Sequence, residues 1–308
     1  MTARFPLSCN TVLFRDHPLR DALEAIAWSG FDGAELAFIP GMVEHVSPGM
    51  GDAGLAEVRA MASDLGLRLF SIEVTPNAPD RVAAACAMAA TLGIPVVAIG
   101  SGGKTGDEAS LLEAIDLGRT LAAIAGRHGV RLALKPHVGA AVFDTATARR
   151  AHAAIGSPHL GLNFDPSHLH RVPEDVAAAA TAFGDLVVHS HFRDSPSRVE
   201  RGPGTPAQQV PGNGEVDIPG VVRALAATPY AGPLSFECIG AAGYSLARAT
   251  ALAAGTRGYL ARCLQDAGAG TGPRASLTAG VGTGITGLTP AQIAPPDTRE
   301  SQRKGITT

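Results

Sequence analysis

The sequence lacks the features that mark secreted, membrane-spanning and nucleic-acid-binding proteins. Its four cysteines, Cys9, Cys86, Cys238 and Cys263, show neither CxxC spacing nor the density of a disulfide scaffold. No apolar run approaches the ~20 residues that a membrane helix needs, and the first residues lack the apolar core of a signal peptide. We therefore predict a soluble cytoplasmic protein with reduced, mostly buried thiols and no membrane partner.

Neither basic nor acidic residues are in large excess, and aromatic residues are few. The chain carries 25 basic and 28 acidic residues, and no block of Lys and Arg interrupts this balance. A face that binds nucleic-acid phosphates is therefore not expected. Aromatic residues make up 5% of the chain, whereas Ala and Gly are abundant and 45% of residues are hydrophobic. This composition favours a large core in which helices pack tightly on a sheet.

What the sequence does contain is a regular alternation of short β-like segments with longer Ala-rich amphipathic segments, which is typical of a parallel sheet with crossover helices. The predicted strands cover residues 7–11, 33–37, 69–74, 96–100, 131–137, 161–165, 186–192 and 234–239. The predicted helices cover residues 17–29, 52–65, 79–92, 108–128, 145–155, 173–183, 217–227 and 243–265.

Eight such units in sequence predict an α/β fold, a single-domain (β/α)₈ TIM barrel over residues 1–266. An open doubly wound sheet would need a Gly-rich phosphate turn after an early strand, and the chain has none. Residues 267–308 are rich in Gly, Thr, Pro and Ala without apolar periodicity, so we predict a disordered tail. Residues 211–218 are Gly-rich, and the sequence leaves open whether they form a mobile cover or a simple connection.

Polar side chains stand at the C-terminal ends of the predicted strands. Because residues two apart share one face of a strand, these side chains should meet at one mouth of the barrel. A single strand-end carboxylate or imidazole is as often structural as functional. A joint cluster is a stronger indication of a site, and here it comprises Asp165, His168, His191 and Glu237. Such residues can ligate a metal ion or transfer protons.

These strand ends carry a family resemblance. The sequence resembles the xylose isomerase-like barrels, the sugar phosphate isomerase/epimerase superfamily, from about residue 5 to residue 265. The motifs that carry the resemblance are Leu134-Lys135-Pro136-His137, Phe164-Asp165-Pro166-Ser167-His168, His189-Ser190-His191-Phe192-Arg193-Asp194, Pro211-Gly212-Asn213-Gly214-Glu215-Val216-Asp217 and Phe236-Glu237. They identify the superfamily well and the substrate poorly.

The resemblance implies one divalent ion, Mn²⁺, Mg²⁺, Co²⁺ or Zn²⁺, held by Glu, Asp, His and Glu from four strand ends. By position, Asp165, His191 and Glu237 match three of these ligands. His168 matches a histidine that orients a substrate hydroxyl group, and Arg193 lies where a basic side chain contacts substrate oxygens. At two further strand ends, we expect Glu73 and Asn10 to contact substrate.

The chain departs from the family on the fifth strand, where Lys135 replaces the usual Glu. In the epimerases that Glu is also one of two acid/base carboxylates. Three outcomes remain open: His137 replaces the missing ligand; the ion keeps fewer protein ligands while Lys135 becomes a general base; or no metal binds and Lys135 pairs with Asp165 or Glu237. Two carboxylates and several imidazoles suffice for a divalent ion, so we expect the metal to be retained.

The first functional hypothesis is a metal-assisted isomerase or epimerase that transfers a proton through an enediolate of a small keto-sugar, polyol or cyclitol. Glu237, Lys135 and His168 are its candidate catalytic residues. The nearest alternative is a dehydratase or other lyase of the inosose dehydratase kind. Two further alternatives are a repair nuclease, which the charge balance disfavours, and a catalytically altered barrel with a binding role. The sequence leaves a homodimer open.

Overall fold

The computed structural model describes residues 4–172, 174–199 and 202–271. Eight parallel strands close into a barrel, since the first strand pairs with both the second and the eighth. In chain order, the barrel strands are β1 Leu7–Asn10, β2 Gly33–Ile39, β3 Arg68–Val74, β4 Val96–Ile99, β5 Arg131–Leu134, β6 Leu160–Phe164, β7 Val187–Phe192 and β8 Leu234–Phe236. The predicted (β/α)₈ barrel is therefore confirmed.

Helices surround this barrel and bury their apolar faces against the strands. They are α1 Leu19–Trp28, α2 Gly51–Asp64, α3 Pro79–Leu92, α4 Glu108–Arg127, α5 Thr145–Ile155, α6 Pro166–His170, α7 Val176–Phe183, α8 Ile218–Ala226 and α9 Leu246–Asp266. Gly93 and Gly156 end α3 and α5 with φ angles of 73° and 63°, a left-handed conformation that glycine adopts without a steric penalty. Along the described ranges, no helix is long and apolar enough to cross a membrane.

The predicted strands match the observed ones, with differences at their ends. Strand β5 ends at Leu134 and β8 at Phe236, three residues earlier than predicted in each case. Helix α6 was not predicted, because it has only five residues and begins at Pro166, directly after the Asp165 carboxylate that caps it. The four cysteines are free and buried, as expected.

The described chain continues beyond the predicted end of the barrel. A two-residue strand, Gly270–Thr271, pairs in parallel with Arg4–Phe5. The rest of the predicted tail, residues 272–308, lies outside the described residues.

The connection from β7 to α8 is fastened to the barrel by Asp194. This buried carboxylate accepts hydrogen bonds from the backbone N–H groups of Ser195 (2.9 Å), Gly212 (2.8 Å) and Val216 (3.0 Å). A Cβ atom at Gly214 would lie 2.4 Å from the Asp194 Oδ1 atom, so the connection passes too close for a side chain there. Residues 211–217 thus form a connection tied to the end of β7.

Candidate active site

The deeper part of the barrel mouth is organised around the carboxylate of Glu35 on β2. Glu35 is fully buried, and burial alone would raise its pKa, but the two imidazoles beside it hold that pKa well below its usual range. Its oxygens contact donors from four other strands, which are His191 Nε2 (2.7 Å), Ser71 Oγ (2.9 Å), His189 Nε2 (3.0 Å), Asn10 Nδ2 (3.0 Å) and Ser235 Oγ (3.3 Å). Both carboxylate oxygens are fully satisfied.

Above this layer, the ammonium group of Lys135 joins three side chains from other strands. The Nζ atom donates to Glu237 Oε1 at 3.0 Å and to Glu73 Oε1 at 3.1 Å, and it lies 3.0 Å from His191 Nδ1. Burial lowers the pKa of His191, but Glu35 and Glu237 raise it to about 10, which favours a hydrogen on both ring nitrogens. The contact with Lys135 favours the opposite, because an ammonium group has no acceptor and leaves no room for a hydrogen on Nδ1 at 3.0 Å. We follow the contact, so that Nε2 carries the imidazole hydrogen and donates it to Glu35.

The two carboxylates that share the Lys135 ammonium have different acidities. Burial, reinforced by the charge of Glu237, raises the pKa of Glu73 to about 7 against the opposing effect of Lys135. Burial would also raise the pKa of Glu237, but Lys135 and Arg193 lower it well below the usual range. Glu237 is therefore the stronger acid of the two, and Glu73 keeps its proton to a higher pH. Such a split is typical of an acid and base pair.

A second group of side chains surrounds His168 on α6. Arg193 Nε donates to Ser167 Oγ at 2.9 Å, and Arg193 Nη2 lies against His168 Nε2. On the other side of the ring, Arg171 Nη2 lies 2.9 Å from His168 Nδ1. Burial and the Arg193 guanidinium keep the pKa of His168 well below its usual range, so the ring is neutral.

Asp165 connects this second group to the first. Its Oδ1 atom accepts from the Ser167 backbone N–H (3.0 Å) and hydroxyl group (2.7 Å), which fixes the start of α6. Among the described residues, its Oδ2 atom has no hydrogen-bond partner, and the same holds for Glu237 Oε2 and Arg193 Nη1. Arg193 Nη1 and Glu237 Oε2 nevertheless lie 3.4 Å apart. Asp165 Oδ2 likewise lies 3.5 Å from His168 Nε2 and 3.8 Å from Arg193 Nη2, so these buried groups face one another.

The structure brings together most of the predicted site residues. Lys135, His191, Glu237, Glu73 and Asn10 form one connected cluster, because Asn10 Nδ2 also donates to Glu73 Oε2 at 2.7 Å. Lys135 pairs with Glu237, as the third of the open outcomes expects, while the absence of a metal in that outcome stays a prediction.

His137, in contrast, is exposed. Its ring stacks on His168 at 3.8 Å between centroids, and its Nδ1 atom lies 2.7 Å from the Val138 carbonyl oxygen. The structure does not bring it into the cluster around Lys135, and its predicted role as a metal ligand stays a prediction.

Sequence reasoning did not assign Glu35, Ser167 or Arg171 to the site. The available signal for Glu35 was its place two residues after Gly33, on the same face of the predicted strand. Nothing in the sequence indicated the Arg171 contact, because it depends on the unpredicted helix α6.

Two sets of residues have the donors and spacing to hold a metal ion, Glu35 with His189 and His191, and Glu73 with His191 and Glu237. In the second set, however, Lys135 Nζ already lies 3.0–3.1 Å from one atom of each residue. In the first set, Glu35 accepts hydrogen bonds from the imidazole nitrogens that would have to bind the ion. The donors are of the right kind, but in this arrangement they do not fit a divalent ion.

Comparison with known proteins identifies the fold family. A family model described as "Xylose isomerase-like TIM barrel" matches residues 23–262. A 3-dehydroshikimate dehydratase from Pseudomonas putida is 30% identical over 251 residues, which cover 71% of this chain and 36% of that protein. The chain thus spans about a third of the length of this curated relative.

Two solved structures show the same fold at lower identity. A D-psicose 3-epimerase, determined in the presence of D-fructose, has a TM-score of 0.70 and 16% identity, covering 84% of this chain and 99% of its own. A barrel protein from Mycobacterium smegmatis, in complex with magnesium, has a TM-score of 0.67 and 18% identity, covering 85% and 97%. The match to the family model across most of the chain shows that this protein belongs to the xylose isomerase-like TIM barrel family.

Proposed function

We propose that this protein is a dehydratase-type lyase that removes water from a small polyhydroxylated carbonyl compound. The observation that carries the proposal is the placement of Glu237 and Glu73, from strands β8 and β3, on one ammonium group at 3.0 and 3.1 Å. Elimination of water next to a carbonyl group needs a base for the carbon-bound proton and an acid for the leaving hydroxyl group. Glu237 and Glu73 match these two roles.

In the proposed reaction, Glu237 takes the proton from the carbon next to the carbonyl group. The electron pair of that C–H bond forms the new C=C bond, the C–O bond of the β-hydroxyl group breaks, and Glu73 protonates the departing oxygen, so that water leaves. Proton return from Glu237 to Glu73 resets the enzyme. We assign His168 and Arg193 to the remaining substrate oxygens, since both border the Asp165 and Glu237 oxygens that lack hydrogen-bond donors among the described residues.

The exposures of the carboxylates support this assignment. Glu73, Lys135 and Glu237 keep 9%, 7% and 4% of their surface exposed, whereas Glu35 has none. Only the upper carboxylates can therefore touch a substrate in the barrel mouth. The 30% identity with a 3-dehydroshikimate dehydratase favours a cyclic hydroxy-ketone as the substrate.

Epimerisation is the second candidate, because the same pair could return a proton to carbon instead of to a leaving oxygen. The fold shared with D-psicose 3-epimerase supports it. We rank it second, since the resemblance places one epimerase carboxylate on the fifth strand, where this chain has Lys135.

The test is to incubate the protein in ²H₂O with 3-dehydroshikimate, inosose and keto-hexoses, and to analyse the mixtures by mass spectrometry. We expect a product lighter by one water, which for 3-dehydroshikimate is an aromatic dihydroxybenzoate. Deuterium in recovered substrate without loss of water would support the epimerase instead. Neither change with any compound would contradict both candidates.

The Glu237→Gln variant tests the base. It should lower kcat/KM for the active substrate by at least about 100-fold, the usual range for loss of a general base. The matched control is Glu57→Gln, the same substitution at an exposed position on α2, and it should leave kcat/KM unchanged. A Glu237→Gln variant that folds and retains wild-type kcat/KM would exclude Glu237 as the base.

A further inference from the structure

The Lys135 ammonium group lies where the donors that could hold a metal converge. Glu73 Oε1, Glu237 Oε1 and His191 Nδ1 surround Nζ at 3.0–3.1 Å. An ion bound by these three atoms would lie roughly 2.0–2.2 Å from each of them, and so in nearly the same space as the nitrogen. A divalent ion and an ammonium group cannot share this position, because their charges repel strongly at such short range.

The position of the ammonium group is fixed by the strand that carries it. The backbone N–H of Lys135 donates to the Ile99 carbonyl oxygen at 2.8 Å, which continues the hydrogen bonding between β5 and β4 past Leu134. The side chain is 8% exposed, and its charge faces two carboxylates from other strands. The hydrogen-bonded backbone of the barrel thus holds Lys135 beside its three partners.

We propose that the ammonium group of Lys135 permanently takes the place of the divalent ion at this barrel mouth and acts as the electrophile of the reaction. The first half of this proposal rests on geometry alone, and only the second half rests on the proposed function. Each of the three N–H donors of Lys135 has a partner, one of which is Glu73. The Glu73 carboxylate also accepts from Asn10 Nδ2 at 2.7 Å, so it keeps a donor when the Lys135 N–H turns to the carbonyl oxygen of the substrate. The fixed positive charge then stabilises the enolate as it forms.

The experiment compares metal binding by the full-length protein and by two variants at Lys135. Each protein is saturated with Mn²⁺ and passed through a desalting column, after which bound manganese and thermal unfolding are measured. Wild type should retain less than about 0.2 equivalents and show no thermal shift with Mn²⁺. Lys135→Glu, which restores a carboxylate on the fifth strand, should retain about one equivalent and unfold at a higher temperature with Mn²⁺ than without it.

Lys135→Met removes the charge without adding a ligand, and it should bind Mn²⁺ more tightly than wild type but more weakly than Lys135→Glu. Lys104→Glu is the control for a change of net charge, because Lys104 is exposed and lies outside the site. It should behave like wild type. About one equivalent of Mn²⁺ in the wild-type protein would overturn the proposal. Absence of binding by both Lys135 variants, folded by circular dichroism, would also overturn it, because the donors would then not form a metal-capable set.

These measurements need no substrate, so they stand whether or not the dehydratase proposal holds. If an active substrate is found, EDTA should leave the wild-type kcat unchanged, while Lys135→Met should lower kcat by about 100-fold or more. Loss of wild-type activity in EDTA with recovery on adding Mn²⁺ would overturn the role of Lys135 as the electrophile.

Discussion

The two carboxylate layers of the barrel mouth differ in how completely they are satisfied. In the lower layer, Glu35 is fully buried and has five donors around its two oxygens. In the upper layer, Glu237 keeps one oxygen without a hydrogen-bond donor among the described residues. Both layers contain buried acids, but of Glu35, Glu73 and Glu237 only Glu237 has such an oxygen.

This difference separates a structural carboxylate from a reactive one. A buried carboxylate whose oxygens all accept hydrogen bonds stabilises one arrangement of its neighbours. A buried oxygen without a donor costs free energy unless a ligand supplies the donor. The lower layer therefore fixes His191, and through it the position of Lys135 at 3.0 Å. In the proposed reaction, the upper layer supplies the charged groups that contact the substrate.

The largest expected effect is a loss of stability when Glu35 of the lower layer is replaced. Glu35→Gln replaces one carboxylate oxygen by an amide nitrogen, which would face His189 Nε2 or His191 Nε2, so one imidazole donor loses its acceptor. We expect the free energy of unfolding to fall by roughly 3 kcal/mol, as for a small number of buried polar groups left unsatisfied. Urea denaturation at neutral pH measures it, with Glu57→Gln as the exposed control. A change below about 1 kcal/mol would show that the Glu35 layer is not a structural anchor.

A smaller effect should appear in the pH dependence of stability at Glu73. The pKa of this group is about 7 in the folded protein against an ordinary value of 4.5. The Glu73 carboxyl group therefore keeps its proton to a higher pH in the folded state than in the unfolded state. Its tighter proton binding stabilises the folded state fully below pH 4.5, and this stabilisation is lost as the pH rises through 7.

Gln cannot titrate, so only the wild type loses this stabilisation as the pH rises. The free energy of unfolding of Glu73→Gln, minus that of wild type, should therefore increase by roughly 2 kcal/mol from pH 5 to pH 8. Urea denaturation of both proteins across this range gives the difference directly. A constant difference between them would contradict a raised pKa at Glu73.

The smallest expected effect belongs to one donor of the lower layer. Ser71 Oγ donates to Glu35 Oε1 at 2.9 Å, one of several contacts on that carboxylate. Ser71→Ala should lower the free energy of unfolding by about 1 kcal/mol, the usual net value of one hydrogen bond, and leave kcat unchanged. A large loss of kcat without a loss of stability would indicate instead that Ser71 takes part in the reaction.

The fold was largely predictable, because short β-like segments alternate regularly with longer amphipathic helices. This pattern placed all eight barrel strands, including β6, which ends directly before Asp165. The ends of β5 and β8 were harder to place, since Lys135 and Glu237 directly follow the apolar residues Leu134 and Phe236 and fit the pattern of a strand that ends in a polar residue. Helix α6 was missed because five residues are too few to show helical periodicity.

The site was predictable as a cluster but not in its connections. Alternation along the strands placed Lys135, His191 and Glu237 at one mouth. It could not show which way the lysine side chain turns, because that depends on the carboxylates of β3 and β8, which are distant in sequence. It also could not show that Glu35 is satisfied by donors from four other strands. Ion pairs between distant strands follow from closure of the barrel, and no local pattern records them.

The anchoring of the β7–α8 connection on Asp194 bears on how this barrel could be re-engineered. Asp194 directly follows Arg193, and it holds the connection at Gly212 and Val216. The chain between residues 196 and 211 is thus a segment whose ends are pinned to the scaffold. Gln209 adds a second tie, because its side chain accepts from the Ile239 N–H at 3.0 Å and donates to the Ile239 carbonyl oxygen at 2.8 Å. A foreign loop grafted into this connection would therefore have to keep both Asp194 and Gln209, so that the ends of β7 and β8 stay fixed while the sequence between the two ties changes.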